Sequence, residues 1–202
     1  LSTRKQLTKK QVEENATNYK KLIGKILDLK KSNIRFLHNE EWTNKLKPED
    51  ILELASYFTV SQLLERDMFQ QRIREGKEIH VHEFLYPIFQ AYDSVTMDVD
   101  LEIGGNDQTF NMLAGRTLMK KLRNKEKFVL TTKLLTDPTG KKMGKTEGNI
   151  ITLDDTPTEI FGKIMAWPDG MITLGFELLT DVPIEEISDN TKPMDLKKKL
   201  AW

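Results

Sequence analysis

The 202-residue chain contains no cysteine, which excludes disulfides, thiolate nucleophiles and cysteine-based metal sites. It also lacks an apolar run near the roughly 20 residues that span a bilayer and a basic-then-apolar leader. No membrane partner is expected, and the cytoplasm is the expected location. Net charge of one sign is missing too, because 31 Lys and Arg balance 31 Asp and Glu. Bulk charge therefore selects neither nucleic acid nor membrane. The three histidines, His38, His80 and His82, show no ligand spacing with acids, so no protein-bound metal is expected. There is no Walker A loop, because the first glycine of that pattern is absent. The chain opens without an initiator Met, in a Lys-rich polar stretch of internal character, and is expected to be a piece of a longer protein.

Hydrophobic residues, at 38%, suffice for a core, and the length suits one large domain or one domain with part of a second. The most patterned stretch runs from Asp100 to Thr146. Val99, Leu101 and Ile103 alternate with acidic neighbours, which is strand periodicity. Gly104-Gly105 stops that strand. Asn106 or Asp107 can cap a following helix whose apolar face is Phe110, Met112, Leu113, Leu118 and Leu122. Phe128–Thr132 reads as a second strand. Two parallel strands around a helix form a βαβ unit, and ligands sit at the carboxyl ends of such strands. The loops 104–108 and 136–146 both fall at that edge.

Elsewhere the pattern is helical. Thr8-Lys-Lys-Gln11 matches a capping box for a helix running to about Lys30, and Ile34–Leu37 reads as a short strand. Pro48 suits the first turn of a helix through about Ser56. Ser61 is expected to cap another helix, with Gly76 past its end. A further helix starts at His82 or Glu83 and runs to about Tyr92. Thr156-Pro-Thr-Glu159 is a strong start signal for a helix that stops before Pro168. Shorter helices are expected at about Gly170–Leu179 and from Ile184 to Ser188. A boundary near Leu153 separates the alternating part, 1–153, from a helical tail, 154–202. Lys197–Lys199 reads as a solvated face.

Three sets of residues could carry chemistry. Lys142 and Lys145, in Lys-Met-Gly-Lys-Thr146, can fold over a polyphosphate and offset the charge of a leaving pyrophosphate, with the Thr146 hydroxyl as a further donor. The amides of Gly104-Gly105-Asn-Asp-Gln108 lie at a helix start, where they favour an anion or a ribose, and Asp107 can accept from ribose hydroxyls. Tyr86, Gln90 and Asp93 lie at i, i+4 and i+7 and so share one helix face. Each set alone has a bland alternative: a basic loop, a tight turn, a polar surface.

In this order and spacing, the three sets together resemble the bacterial-type tyrosyl-tRNA synthetases, a class I family. Stretches such as FQAYD, GGNDQTFN, MLAGR, TEGNIITL and FELLTDVPIEEI carry the likeness over nearly the whole chain. The resemblance implies an incomplete Rossmann-like parallel sheet over 1–153, with a connective region at about 34–82, followed by part of a helical anticodon-binding region. It implies that Tyr86 and Gln90 hold a tyrosine ammonium, that Asp93 accepts from the phenol, and that Gln108 lies near the carboxyl. Gly105 and Asp107 would meet the ATP ribose and Leu135 the adenine. Lys142, Lys145 and Thr146 would form the loop that stabilises pyrophosphate formation. ATP, with Mg2+ accompanying it, tyrosine and tRNA(Tyr) are the implied substrates, and a homodimer is the implied assembly. Gly144 stands where the commonest form of the loop has Ser, and Glu102 stands where some members have Gln. No His-x-Gly-His-type motif of the family's first half-site occurs in the 202 residues. The expectation is therefore a piece that starts after that segment and ends before the C-terminal RNA-binding module. A synthetase-like protein that binds tyrosine or RNA without turnover, and the sister tryptophanyl enzyme, are the competing readings.

Overall fold

The computed structural model describes residues 7–140, 143, 150–187 and 191–202. The chain divides into two compact units. One is Leu37–Leu134, and the other is Leu1–Phe36 together with Leu135–Trp202.

At the N-terminus the capping box forms as expected, with Thr8 accepting from the Gln11 N–H and the Gln11 side chain returning to the Thr8 backbone. The helix it opens is short. α1 covers Lys9–Ala16 and α2 only Tyr19–Ile23, in place of one helix to Lys30. The Thr17 hydroxyl bonds back to the Glu13 carbonyl at 2.9 Å, a local bond that competes with helix continuation. Neither helix buries a residue, so no packing offsets the cost of nucleation. Ile34–Leu37 is not a strand but irregular backbone. Its four residues have no ladder partner among the described residues, and a strand without one does not persist.

The Leu37–Leu134 unit opens with α3 (Glu40–Thr43) and α4 (Pro48–Ser56), the latter with its proline in the first turn. The expected helix from Ser61 is two: α5 (Val60–Leu64) and α6 (Asp67–Arg74). The cap of α5 is Thr59, not Ser61, through a reciprocal Thr59–Gln62 box. The break falls at Arg66, whose ψ of 128° is not helical, and its guanidinium lies over the Phe69 ring, 5.0 Å from the centroid. Gly76 follows α6 at φ 64°, in the left-handed region that favours glycine. A 3-10 turn at Val81–Phe84 then leads into α7 (Leu85–Thr96), which runs one turn beyond the expected end at Tyr92.

β1 (Leu101–Gly105) and β2 (Phe128–Thr132) pair in parallel, Leu101 opposite Phe128 and Gly105 opposite Thr132. Between them, a 3-10 turn at Asn106–Gln108 precedes α8 (Thr109–Arg123). The cap position of α8 falls to Gln108 rather than Asn106 or Asp107, without a side-chain cap bond. This is the expected βαβ unit. Ile88, Ala91 and Val95 of α7 meet Ala114 and Leu118 of α8, with Leu54 and Leu63 completing the core. Burying each large aliphatic side chain is worth about 1.5–3 kcal/mol, so α7 and α8 are held chiefly by each other.

In the other unit the Thr156–Glu159 capping box opens α9 (Pro157–Met165). A 3-10 turn at Asp169–Met171 leads into α10 (Ile172–Leu179), and a 3-10 turn at Ile184–Glu186 replaces the expected helix there; Ser188 lies outside the described residues. α11 (Pro193–Ala201), not expected from the sequence, packs Leu200 with Ile164, Trp167, Met171, Ile172 and Phe176. Lys197 is not part of a solvated face. It is buried and pairs with Asp169 at 2.7 Å. Among the described residues, no helix is long and apolar enough to cross a membrane.

Candidate functional site

The helix α7 fixes three of the predicted residues. It buries Pro87, Ile88, Ala91, Ser94 and Val95, and the residues between them carry Tyr86, Gln90 and Asp93. Tyr86 is 62% exposed, while Gln90 and Asp93 are half-buried.

Asp93 accepts a hydrogen bond from Trp42 Nε1 at 2.7 Å and another from the Asn39 side chain. Burial pushes its carboxyl above the ordinary 3.8, against the lowering effect of those two donors, and the charge of Glu102 adds to the rise. Asp93 is thus a half-buried acceptor whose charged form is favoured by two side chains from the start of the unit and disfavoured by its burial. Neither Trp42 nor Asn39 was expected from the sequence. Nothing local marks them, because their partner lies on a different helix.

Gln90 donates its Nε2 to Glu102 Oε1 at 3.1 Å. That leaves its carbonyl oxygen as the half of the amide open to a ligand. Gln108 is arranged the other way: its Oε1 accepts from Asn111 Nδ2 at 3.0 Å, leaving its NH2 as the donor. The two amides therefore offer opposite polarity, an acceptor suited to an ammonium and a donor suited to a carboxylate. Both depend on the βαβ unit, Gln90 through the strand residue Glu102 and Gln108 through the helix residue Asn111.

Gly105 has φ −64°, so its role is space rather than unusual backbone. A Cβ there would stand 2.7 Å from Leu134 Cδ2 and 2.8 Å from Asp107 Oδ1. The room that glycine leaves is taken by the Leu134 and Asp107 side chains. Leu135 belongs to the other unit, where it packs against the Trp167 and Phe176 core and its carbonyl accepts from the Met143 N–H at 3.1 Å. Lys142, Lys145 and Thr146 lie outside the described residues.

A cavity of about 320 Å³ lies beside Trp42, walled by Leu54, Tyr57, Tyr92 and Leu122. It touches none of Tyr86, Gln90 and Asp93, so the candidate site is assigned by its donor and acceptor geometry and not by this cavity.

A parallel βαβ unit with α7 packed on its helix, α7 carrying an acid and an amide acceptor and the turn after β1 carrying an amide donor, defines a Rossmann-like domain. Comparison with known proteins narrows that class. The profile of the family described as tRNA synthetases class I (W and Y) matches residues 1–201. The chain belongs to this family. A tyrosine–tRNA ligase of Carboxydothermus hydrogenoformans is 46% identical over 188 residues, covering 93% of this chain and 45% of that protein. One of Thermotoga maritima is 42% identical over 209 residues, covering 99% of this chain and 52% of that protein. The chain thus spans about half the length of the curated relatives it matches. Among solved structures, tyrosyl-tRNA synthetase of Archaeoglobus fulgidus, complexed with L-tyrosine, superposes with a TM-score of 0.72. It is 24% identical and covers 98% of this chain and 71% of that one, a likeness of fold.

Proposed function

We propose that the chain is the tyrosine-recognising part of a tyrosine–tRNA ligase, which joins tyrosine to ATP as tyrosyl-adenylate and then passes it to tRNA(Tyr). The observation that carries this reading is the half-buried Asp93 carboxylate, held by Trp42 and Asn39 on the helix that also presents Gln90. An acceptor there suits a phenol hydroxyl, and a site that desolvates it rejects a ligand without the hydroxyl, because the acceptor position that Trp42 and Asn39 do not fill is left without a donor. Tyr86 and the Gln90 carbonyl hold the ammonium, and the Gln108 amide meets the carboxyl. In the same reading Gly105 and Asp107 receive the ribose of ATP, supplied with its Mg2+, and Leu135 lies beside the adenine. Lys142, Lys145 and Thr146 act on the pyrophosphate, and residues after about 154 contribute to anticodon binding. A homodimer formed through about 61–82 and a cytoplasmic site of action complete it.

The names of the relatives support tyrosine over tryptophan. The test is amino-acid-dependent exchange of pyrophosphate into ATP by the complete gene product, with tyrosine, phenylalanine, tryptophan and no amino acid. Exchange with tyrosine alone is expected. Exchange with tryptophan would transfer the chain to the sister enzyme, and tyrosine binding without exchange would mark a synthetase-like protein that does not turn over.

A further inference from the structure

Glu102, the second residue of β1, turns toward the helices and meets three side chains. Its Oε1 accepts from Gln90 Nε2 at 3.1 Å. Its Oε2 accepts from Ser94 Oγ at 3.1 Å and is ion-paired with Lys127 Nζ. The Lys127 ammonium donates a further bond to the Met112 carbonyl at 2.9 Å. Lys127 is only 1% exposed, and Gly115 makes room for it. A Cβ at Gly115 would stand 2.6 Å from both Lys127 Nζ and Ser94 Oγ. The register of the sheet builds the pair: Glu102 faces Val129, so Lys127, two residues earlier, turns to the same side.

A buried ion pair adds little net stability over a well-packed apolar pair of the same volume. What this one does fix is direction. An ionised carboxylate only accepts, and an ammonium only donates. Lys127 and Ser94 occupy one oxygen of Glu102, so the other can receive only the NH2 half of Gln90. The carbonyl of Gln90 is then turned away, as an acceptor for a ligand. Reversed, the same amide would present N–H groups to an ammonium and repel it.

We propose that the buried Lys127–Glu102 pair sets the polarity of the Gln90 amide, which makes Lys127 a positioning residue for the ammonium of the amino-acid substrate. The inference rests on the tyrosine-binding reading of this face. Lys127 touches no substrate; it acts through Glu102.

The test uses the complete gene product and two ligands, tyrosine and 3-(4-hydroxyphenyl)propionate, which lacks the ammonium. In Glu102→Gln, the Lys127 ammonium captures the new carbonyl and turns the new NH2 toward Gln90. Gln90 must then reverse to accept it. Tyrosine affinity should fall roughly 10- to 100-fold, the range for a lost hydrogen bond to a charged group, while affinity for the propionate is unchanged. Glu102→Gln combined with Lys127→Gln removes the cation that pins the introduced amide. That amide can then turn its carbonyl to Gln90, and tyrosine affinity should recover. If Glu102→Gln does not fold, Lys127→Met leaves a carboxylate that still only accepts but is no longer held in place by its ion pair, so it can swing away from Gln90 and release the amide. This variant should weaken tyrosine several-fold and leave the propionate unchanged. Equal losses for both ligands, or a double variant as weak as the single one, would reduce the pair to a structural role and overturn the proposal. A parent protein that binds the propionate and tyrosine equally would overturn it as well, while leaving the phenol site intact. A parent that binds neither ligand would overturn the tyrosine reading, and the inference with it.

Discussion

Trp42 donates its indole N–H to Asp93 across 2.7 Å, tying the first helix of the Leu37–Leu134 unit to α7, 51 residues further on. The bond favours the charged form of a carboxyl that burial pushes toward the neutral one. Replacing Trp42 with Phe keeps an aromatic ring but removes the donor, so the Asp93 pKa should rise further. A carboxyl that protonates at higher pH loses its charge earlier on acidification. The acid limb of the pH profile for tyrosine-dependent exchange should therefore move to higher pH in Trp42→Phe. An unmoved limb would show that Asp93 does not report on that profile.

Asp93→Ala removes the acceptor itself. Tyrosine use should fall about 10- to 100-fold in kcat/KM, the range for a lost hydrogen bond at a charged group, and phenylalanine use should change little. Steady-state kinetics with both amino acids decide this. Equal losses would remove Asp93 from the phenol site.

The same carboxyl affects stability. Its folded pKa is raised, so the folded state holds the proton more tightly than the unfolded chain. Between the two pKa values the folded state binds more protons, and stability falls as pH rises through that window. The loss begins near the ordinary value of 3.8 and is complete above the folded pKa. Asp93→Asn, which keeps an acceptor for Trp42 and carries no charge, should melt higher than the parent at neutral pH. The difference should vanish when the pH is well below 3.8. Thermal melts of both proteins across that range measure it, and a gain that persists in acid would have another cause.

How far the sequence disclosed these relations depends on their range. The Thr8 and Thr156 boxes and the Pro48 start are local, and each forms as read. The alternation at Leu101–Ile103 does mark a strand, but Leu101 and Ile103 are exposed and Glu102 is the residue that turns inward. The split of the N-terminal helix was not legible, because the apolar spacing from Val12 to Leu27 gives no sign that α1 and α2 bury nothing. Tyr86, Gln90 and Asp93 could be placed on one helix by spacing alone. Their partners could not. Trp42 and Glu102 reach them through tertiary packing, and the Glu102–Lys127 pair exists only because Leu101 stands opposite Phe128 in the sheet. From sequence, Lys127 is one more lysine in a polar turn.

Lys145, outside the described residues, is proposed to act on the transition state. A charged donor that meets the leaving pyrophosphate only as charge builds lowers the barrier without tightening ground-state binding. Lys145→Ala in the complete gene product should slow tyrosyl-adenylate formation by about 10²–10³. The ATP dissociation constant should stay within a few fold. Pre-steady-state kinetics yield both constants, and a mutant that loses ATP affinity at an unchanged rate would make the lysine a static binding group.

Two helical glycines give opposite expectations under the same substitution, and the pair tests the packing around Lys127 without any ligand. Gly162 lies inside α9, where an added Cβ meets nothing within 4 Å. Alanine there restricts the unfolded chain and suits the helix, so Gly162→Ala should stabilise by about 0.4–1 kcal/mol. Gly115 lies inside α8, also a favourable place for alanine by propensity alone. There, however, the Cβ would stand 2.6 Å from Lys127 Nζ and from Ser94 Oγ, and 3.2 Å from Ser94 Cβ. The lysine tip could yield only by leaving Glu102 or the Met112 carbonyl, and α7 is held against α8 by the core they share. Overpacking of this kind costs about 1–3 kcal/mol, more than the propensity gain returns, so Gly115→Ala should destabilise. Denaturant titration of the two variants beside the parent reads both signs. If both alanines stabilise, the Lys127 ammonium has room to move, and it cannot be pinned tightly enough to hold Glu102 in one orientation.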